Sequence, residues 1–122
     1  MTRLLIVEDD ESLRTLYEAE FREDGFEVAA VGTGQAALEQ IRELRPAVLI
    51  LDVCLPDRSG LEILRQGLEE WPGMAVVINT AFAGYRESFA CWLADAYVIK
   101  SSDLEELKAA VADAADAHLQ AA

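Results

Sequence analysis

Asp52 closes a run of buried-type residues, Ala47-Val48-Leu49-Ile50-Leu51, and is followed by Leu55-Pro56-Asp57 and the turn Ser59-Gly60. A carboxylate that ends such an apolar run belongs at the carboxyl end of a central strand, which is where open α/β sheets bind ligands. Three other polar clusters end strand-like runs in the same way. Glu8-Asp9-Asp10 follow Arg3-Leu4-Leu5-Ile6-Val7, Thr80 follows the run from Met74 to Asn79, and Lys100 follows Tyr97-Val98-Ile99. Acids, a hydroxyl and an amine, one set per strand end, converge on one site. The acids suit a cation, and the amine and hydroxyl suit the charge of an anion.

Strand-like and helix-like stretches alternate along the whole chain and must position these groups. That alternation argues for a parallel sheet covered on both faces. The first helical stripe carries Leu13, Leu16, Tyr17 and Phe21 and stops at Gly25. Glu27 to Val31 reads as a short second strand. Ala37, Leu38, Ile41 and Leu44 mark a second helix that Pro46 ends. A third helix runs from Gly60 to about Glu70, with Ser59 and Glu62 as a capping-box signature. Trp71-Pro72-Gly73 breaks the chain before the fourth strand. A shorter fourth helix is expected from Tyr85 to Leu93, then a fifth strand from Ala96 to Ile99. Ser102 with Glu105 forms a second capping-box signature for a last helix that turns Leu104, Leu107, Val111 and Ala114 inward.

The 122 residues point to one domain, residues 1–122, with no linker or repeat. At 52% hydrophobic residues the chain can build a core. No apolar run approaches the ~20 residues of a membrane span, and no secretory leader precedes the first strand. Cys54 and Cys91 lack metal-type spacing, so free thiols and a cytoplasmic setting are the simplest reading. Ten Lys and Arg against 23 acids, a formal charge of −13, leave no basic patch for direct binding to nucleic acid.

The set Glu8-Asp9, Asp52, Leu55-Pro56, Ser59-Gly60, Thr80-Ala81, Tyr97 and Lys100 resembles the response-regulator receiver domain of two-component signalling, in its single-domain, chemotaxis-receiver-like form. Each match is weak alone. Their spacing, 43 residues from Asp9 to Asp52, 28 on to Thr80 and 20 on to Lys100, makes the set specific. The resemblance covers essentially the whole chain. It implies a flavodoxin-like, doubly wound α/β sandwich with five parallel strands in the order 2-1-3-4-5, an order for which this family is a standard example. It also implies that Asp52 accepts a phosphoryl group from a sensor histidine kinase, a phosphotransfer protein or a small phosphodonor. Thr80 and Lys100 would assist, and the Ala81 amide would bind the phosphoryl group.

That strand order brings Glu8, Asp9 and Asp52 together. Three carboxylates repel one another, and at least one would have a raised pKa without a cation. Magnesium (or manganese) suits a few carboxylates, retained water and phosphate oxygens. The resemblance places it on Asp9, Asp52 and the backbone carbonyl of Cys54, with Glu8 acting through water. An aspartyl phosphate is an established covalent product, and its formation asks mainly for positioning and charge stabilisation. The chain would not be an enzyme beyond its own phosphorylation and dephosphorylation.

The resemblance further implies a switch. Thr80 moves toward the phosphoryl group, Tyr97 turns inward, and the face of the fourth helix, fifth strand and last helix changes for a downstream protein target. Arg86, Phe89, Tyr97 and Lys108 are the residues expected on it. Two departures from the family stand out. Ser101 replaces the proline usual after the lysine, so the Lys100–Ser101 bond should be trans. Cys54 and Phe82, two residues past Asp52 and Thr80, are neither acid nor amide where hydrolytic water would pass.

The remaining candidates have plainer readings. Asp10 suits a helix cap, Gly32-Thr33-Gly34 a helix start, Trp71 and Trp92 packing or contact, and His118 a helix C-terminus. Cys54 beside a carboxylate is a poor redox thiol. Rival functions are a phosphorylation-independent interaction module, a phosphate sink, and an aspartate-dependent phosphatase. The last needs a second acid two residues after its nucleophile, where Cys54 stands.

Overall fold

The computed structural model describes residues 1–85 and 92–121. The chain alternates strand and helix as its patterning predicts: β1 (Arg3–Val7), α1 (Glu11–Glu23), β2 (Glu27–Val31), α2 (Gly34–Leu44), β3 (Val48–Leu51), α3 (Gly60–Glu70), β4 (Ala75–Thr80), β5 (Ala96–Ile99) and α4 (Glu105–Ala121). A 3₁₀ turn, Ala83–Tyr85, follows β4. Most of the fourth helix expected over Tyr85 to Leu93, with Arg86 and Phe89, lies outside the described residues.

The strands pair in parallel in the order β2-β1-β3-β4-β5, with Leu51 opposite Val7 and Ile78. β1, β3 and β4 are almost continuously apolar because both faces of the sheet are covered. Alternation splits each strand between two cores. Leu4, Ile6, Val48, Ile50, Ala75, Val77 and Val98 pack with Tyr17 and Phe21 of α1 and Leu107 and Val111 of α4. Leu5, Val7, Leu49, Leu51, Val76 and Ile78 pack with Ala37 and Ile41 of α2 and Ile63 and Leu64 of α3. Burying a side chain of this size stabilises by roughly 1.5–3 kcal/mol.

The helix ends show where local patterns hold. Asp10 caps α1, its Oδ1 accepting from Leu13 N at 3.1 Å. Gly25 carries φ +97 just beyond α1, a left-handed value that glycine adopts freely. Thr33 caps α2 by accepting from Ala36 N at 3.1 Å.

Four expectations are corrected. Ser59 does cap α3, but it accepts from Leu61 N, and the Glu62 carboxylate accepts from Gln66 instead of folding back. At α4 the cap comes from Asp103, whose Oδ1 accepts from Glu105 N at 3.0 Å, so the Ser102 box does not form. Leu16, expected on the buried stripe of α1, is 45% exposed. It lies just outside the arc that Tyr17 and Phe21 turn to the sheet. Lys108 does not face β5. It forms ion pairs with Glu20 (3.0 Å) and Asp24 (3.4 Å) of α1, whose carboxylates hold its ammonium pKa up against a smaller effect of burial.

Candidate functional site

The same alternation that builds the core aims the site. Ile6, Ile50, Val77 and Val98 all face the α1/α4 core. Two residues further along each strand on that face stand Glu8, Asp52, Asn79 and Lys100. Four adjacent strands end at similar levels, so these side chains meet above the core. Glu8 is 2% and Asp52 5% exposed, while Asp9 sits on the rim and is exposed. One carboxylate oxygen from each of Glu8, Asp9 and Asp52 lies within 4.8 Å of the other two.

Lys100 ties the two buried acids together. Its Nζ is 2.6 Å from Glu8 Oε1 and 2.6 Å from Asp52 Oδ2. Burial works to neutralise the amine, but the hydrogen bonds to Asp52 and Glu8 outweigh it and hold the ammonium well above the ordinary lysine value. Burial pushes the Glu8 carboxyl above the usual carboxylate range. The Lys100 hydrogen bond and the Asp10 amide, which donates to Glu8 Oε2 at 3.0 Å, oppose that rise. One ammonium thus serves two buried carboxylates.

The loop after β3 wraps closely around Asp52. Cys54 N donates to Asp52 Oδ1 at 3.1 Å, Cys54 forms an isolated antiparallel bridge with Ser59, and Gly60 N donates to Val53 O at 2.7 Å. A Cβ at Gly60 would stand 2.1 Å from the Asp52 carbonyl oxygen, so only glycine lets α3 start this close to the strand end. The Cys54 side chain is exposed.

Thr80 lies on the other face of β4, continuing the Val76–Ile78 row. It is 0% exposed, and its Oγ1 is buried without a hydrogen-bond partner among the described residues. An unsatisfied buried hydroxyl costs about 1–3 kcal/mol, a cost that makes sense where a ligand supplies the acceptor. Tyr97 pairs with Ile78 on β4, packs on the same face as Thr80, and its hydroxyl donates to the Phe82 carbonyl. Ala81, next to Thr80, is exposed. No peptide bond among the described residues is cis, the Lys100–Ser101 bond included.

Two further residues, Tyr17 and Asn79, lie beneath this group. Tyr17 is 2% exposed and its phenol lies by the Asn79 side chain. Burial pushes the phenol pKa up, and the Asn79 side chain and the Lys100 charge oppose the rise. Asn79 was legible as a polar break in an apolar strand. Tyr17 looked like an ordinary core aromatic. The plainer residues have structural partners: Trp71 Nε1 donates to Pro46 O at 2.9 Å, His118 Nδ1 lies 2.8 Å from Gly73 O, and Trp92 is 71% exposed.

Comparison with known proteins agrees with this geometry. A family model described as the response regulator receiver domain matches residues 4–112. The probable transcriptional regulatory protein TcrX of Mycobacterium tuberculosis is 35% identical over 106 residues, 85% of this chain and 45% of that protein. The regulatory protein AtoC of Escherichia coli is 31% identical over 88% of this chain and 24% of its own length. The chain therefore spans less than half the length of these relatives. Among solved structures, the response regulator TrrA of Thermotoga maritima in complex with Mg(2+)-BeF superposes with a TM-score of 0.89 at 32% identity, covering 93% of this chain and 99% of that one. A CheY-like receiver domain protein of Methanospirillum hungatei superposes with a TM-score of 0.94 at 26% identity, covering 100% and 99%. On its fold, its acidic cluster and these matches, the chain belongs to the response regulator receiver domain family of two-component systems.

Proposed function

We propose that this chain is a phosphorylation switch in which Asp52 is the phosphoacceptor. The observation that carries the reading is the placement of a buried Asp52 carboxylate between a Lys100 ammonium at 2.6 Å and a cluster with Glu8 and Asp9. Asp52 enters as a carboxylate, so it needs no base to activate it. An Asp52 oxygen forms a bond to phosphorus as the bond from phosphorus to the donor's histidine nitrogen, or to the oxygen of a small acyl phosphate, breaks. The donor leaves with its electron pair, and an acyl phosphate remains. Lys100 offsets charge on the transferred phosphoryl oxygens, the Thr80 hydroxyl gains the acceptor it lacks, and the Ala81 amide is a second donor.

The oxygen-only donor set of Glu8, Asp9 and Asp52 fits a hard divalent cation such as magnesium or manganese. Asp9, Asp52 and the Cys54 carbonyl would hold it, with Glu8 acting through water. When bound it supplies charge neutralisation for the phosphoryl oxygens.

The signal is read on the face around β5. Thr80 and Tyr97 share one face of the sheet, so withdrawing Thr80 toward a phosphoryl group alters the space beside the Tyr97 ring. A partner that binds the two arrangements unequally then senses phosphorylation. On this reading residues 1–122 act as one cytoplasmic receiver unit. A sensor histidine kinase or phosphotransfer protein lies upstream and a protein target downstream. The unit inserts no segment in a membrane and makes no direct contact with nucleic acid. No helix among the described residues is long and apolar enough to cross a membrane. A histidine kinase, ThkA, has been solved in complex with TrrA, to which this chain is 32% identical with a TM-score of 0.86.

The test is intact mass after treatment with a small acyl phosphate and magnesium. Wild type should gain one phosphoryl group and Asp52→Asn none. Labelling that persists in Asp52→Asn would overturn the assignment.

A further inference from the structure

The turn from β2 into α2, Gly32-Thr33-Gly34, carries none of the acids, the threonine or the lysine of the site. Yet one acid-bearing loop is hydrogen-bonded to it, and the guanidinium that bonds the backbone of the other packs against it. On one side, Asp57 of the β3–α3 loop accepts two backbone hydrogen bonds, Oδ1 from Gly34 N at 2.8 Å and Oδ2 from Gln35 N at 3.0 Å. Its neighbour Arg58 donates to Gln35 Oε1 at 3.1 Å. On the other side, Arg14 of α1 reaches back across the β1–α1 loop. Its guanidinium donates to Glu8 O at 2.9 Å and approaches Asp9 O at 3.5 Å. That guanidinium rests against Gly32, where a Cβ would come within 2.8 Å of the nearest guanidinium nitrogen.

Asp57 completes the α2 N-terminus from another loop, because Thr33 takes only the Ala36 amide and leaves those of Gly34 and Gln35. The Asp57 bonds come from residues 22 and 23 positions away, so their effect is to pin one loop to another. The pinned loop is the one on which Cys54 touches Asp52. The Arg14 bonds likewise end on the backbone of Glu8 and Asp9, not on their carboxylates. Magnesium tolerates little deviation from octahedral geometry at about 2.0–2.1 Å, so small backbone shifts in either loop would matter to it.

We propose that the Gly32–Gln35 turn is the positioning brace of the site. Through the Asp57 bonds it holds the β3–α3 loop, and through the packing of Gly32 against Arg14 it backs the β1–α1 loop, at the spacing a divalent cation requires. This inference rests on the reading that Glu8, Asp9, Asp52 and the Cys54 carbonyl bind magnesium. Asp57 and Arg14 are positioning residues that touch neither the ion nor the phosphoryl group.

The experiment is calorimetric titration of the full chain with magnesium chloride, beside thermal melts of the same proteins. Asp57→Ala removes one fastening. Gly32→Ala disturbs the other by displacing only the flexible end of Arg14, so the fold survives. Groups that support metal ligands directly typically cost about 10- to 100-fold in affinity when removed. A brace one step further out should raise the magnesium Kd at least about threefold in each variant. Asp57→Asn, which keeps one acceptor oxygen, should fall between wild type and Asp57→Ala. The rate of phosphorylation by a small acyl phosphate at saturating magnesium should stay near wild type, because Asp52, Thr80 and Lys100 are untouched. A lower Tm with an unchanged magnesium Kd would make these contacts merely structural and overturn the brace. A wild-type chain that takes up no magnesium would overturn the metal-site reading and the brace with it. Binding in wild type with unchanged variants overturns the brace alone.

Discussion

The two ends of the sheet are both polar, and they are built on opposite rules. At the amino end, exposed groups each find a partner. Arg3 pairs with Glu27 at 3.4 Å and donates to Leu44 O at 2.9 Å. Arg45 donates to Glu70 O at 2.6 Å and lies over the Trp71 ring, 5.3 Å from its centroid. His118 contacts Gly73 O. At the carboxyl end the groups are buried and incompletely matched. Two carboxylates share one ammonium, a third acid stands beside them, and a buried threonine hydroxyl has no partner. Natural chains satisfy buried polar groups almost everywhere. The end that fails to do so is the end where the proposed phosphoryl and metal chemistry is placed.

Replacing one cation at each end should break that contrast most sharply. Lys100→Met leaves two buried carboxylates uncompensated, and losing one partner of a buried ion pair costs about 3–5 kcal/mol. Arg3→Met removes an exposed pair worth ~0–1 kcal/mol. Urea unfolding at neutral pH measures both. Equal losses would show that burial does not distinguish the two ends.

Added magnesium should offset the mismatch at the carboxyl end alone. Linkage gives about 2.7 kcal/mol at a hundredfold excess over the Kd, read as a rise in Tm. Asp9→Ala should lose most of that rise. An equal rise in both proteins would put the ion elsewhere.

Lifetime sharpens the comparison within the site itself. Phe82 is 54% exposed beside the end of β4, and Cys54 offers neither an acid nor an amide to orient water. The phosphorylated chain should therefore decay slowly under magnesium, and Phe82→Glu with Cys54→Asn should decay faster. Unchanged or slower decay in that double variant would refute the idea that Phe82 covers the site and Cys54 leaves water unoriented.

The smallest effect concerns the brace. The Gly34 amide, with lesser help from that of Gln35, holds the Asp57 carboxyl below the usual carboxylate range. A depressed folded pKa contributes stability that is present above the unfolded value, near about 3.9 for aspartate. That stability is lost as pH falls through the lower folded value. The stability gap between wild type and Asp57→Asn should be level near neutrality and close in acid. A gap that widens as pH falls would show the sign to be wrong.

What could be read in advance followed from periodicity. The cores and the four strand-end groups obey the alternation of a strand, and an acid after an apolar run is visible in one dimension. Short-range chemistry was read less well. Both capping boxes matched the Ser-x-x-Glu pattern, but Glu62 found Gln66 and Asp103 displaced Ser102 at α4, because several acceptors compete for the same few amides. The place of Lys108 in the last helix points to the β5 face, whereas Glu20 and Asp24 at the end of α1 claim it. Tyr17 and Asn79 were not paired, since one lies in α1 and the other at the end of β4.

The sequence by itself determined the fold class, the sheet's two buried faces, and which residue types stand at the carboxyl ends of the strands. Apolar burial is proportional to area and indifferent to partner, so a pattern of hydrophobicity is enough to specify it. Only the tertiary structure decided that Lys100 bridges Glu8 and Asp52, that the Thr80 hydroxyl is left alone, and that Asp57 and Arg14 meet the turn before α2. Those are hydrogen bonds and ion pairs, whose strength depends on distance and direction between residues far apart in the chain. That geometry exists only once the strands are in register.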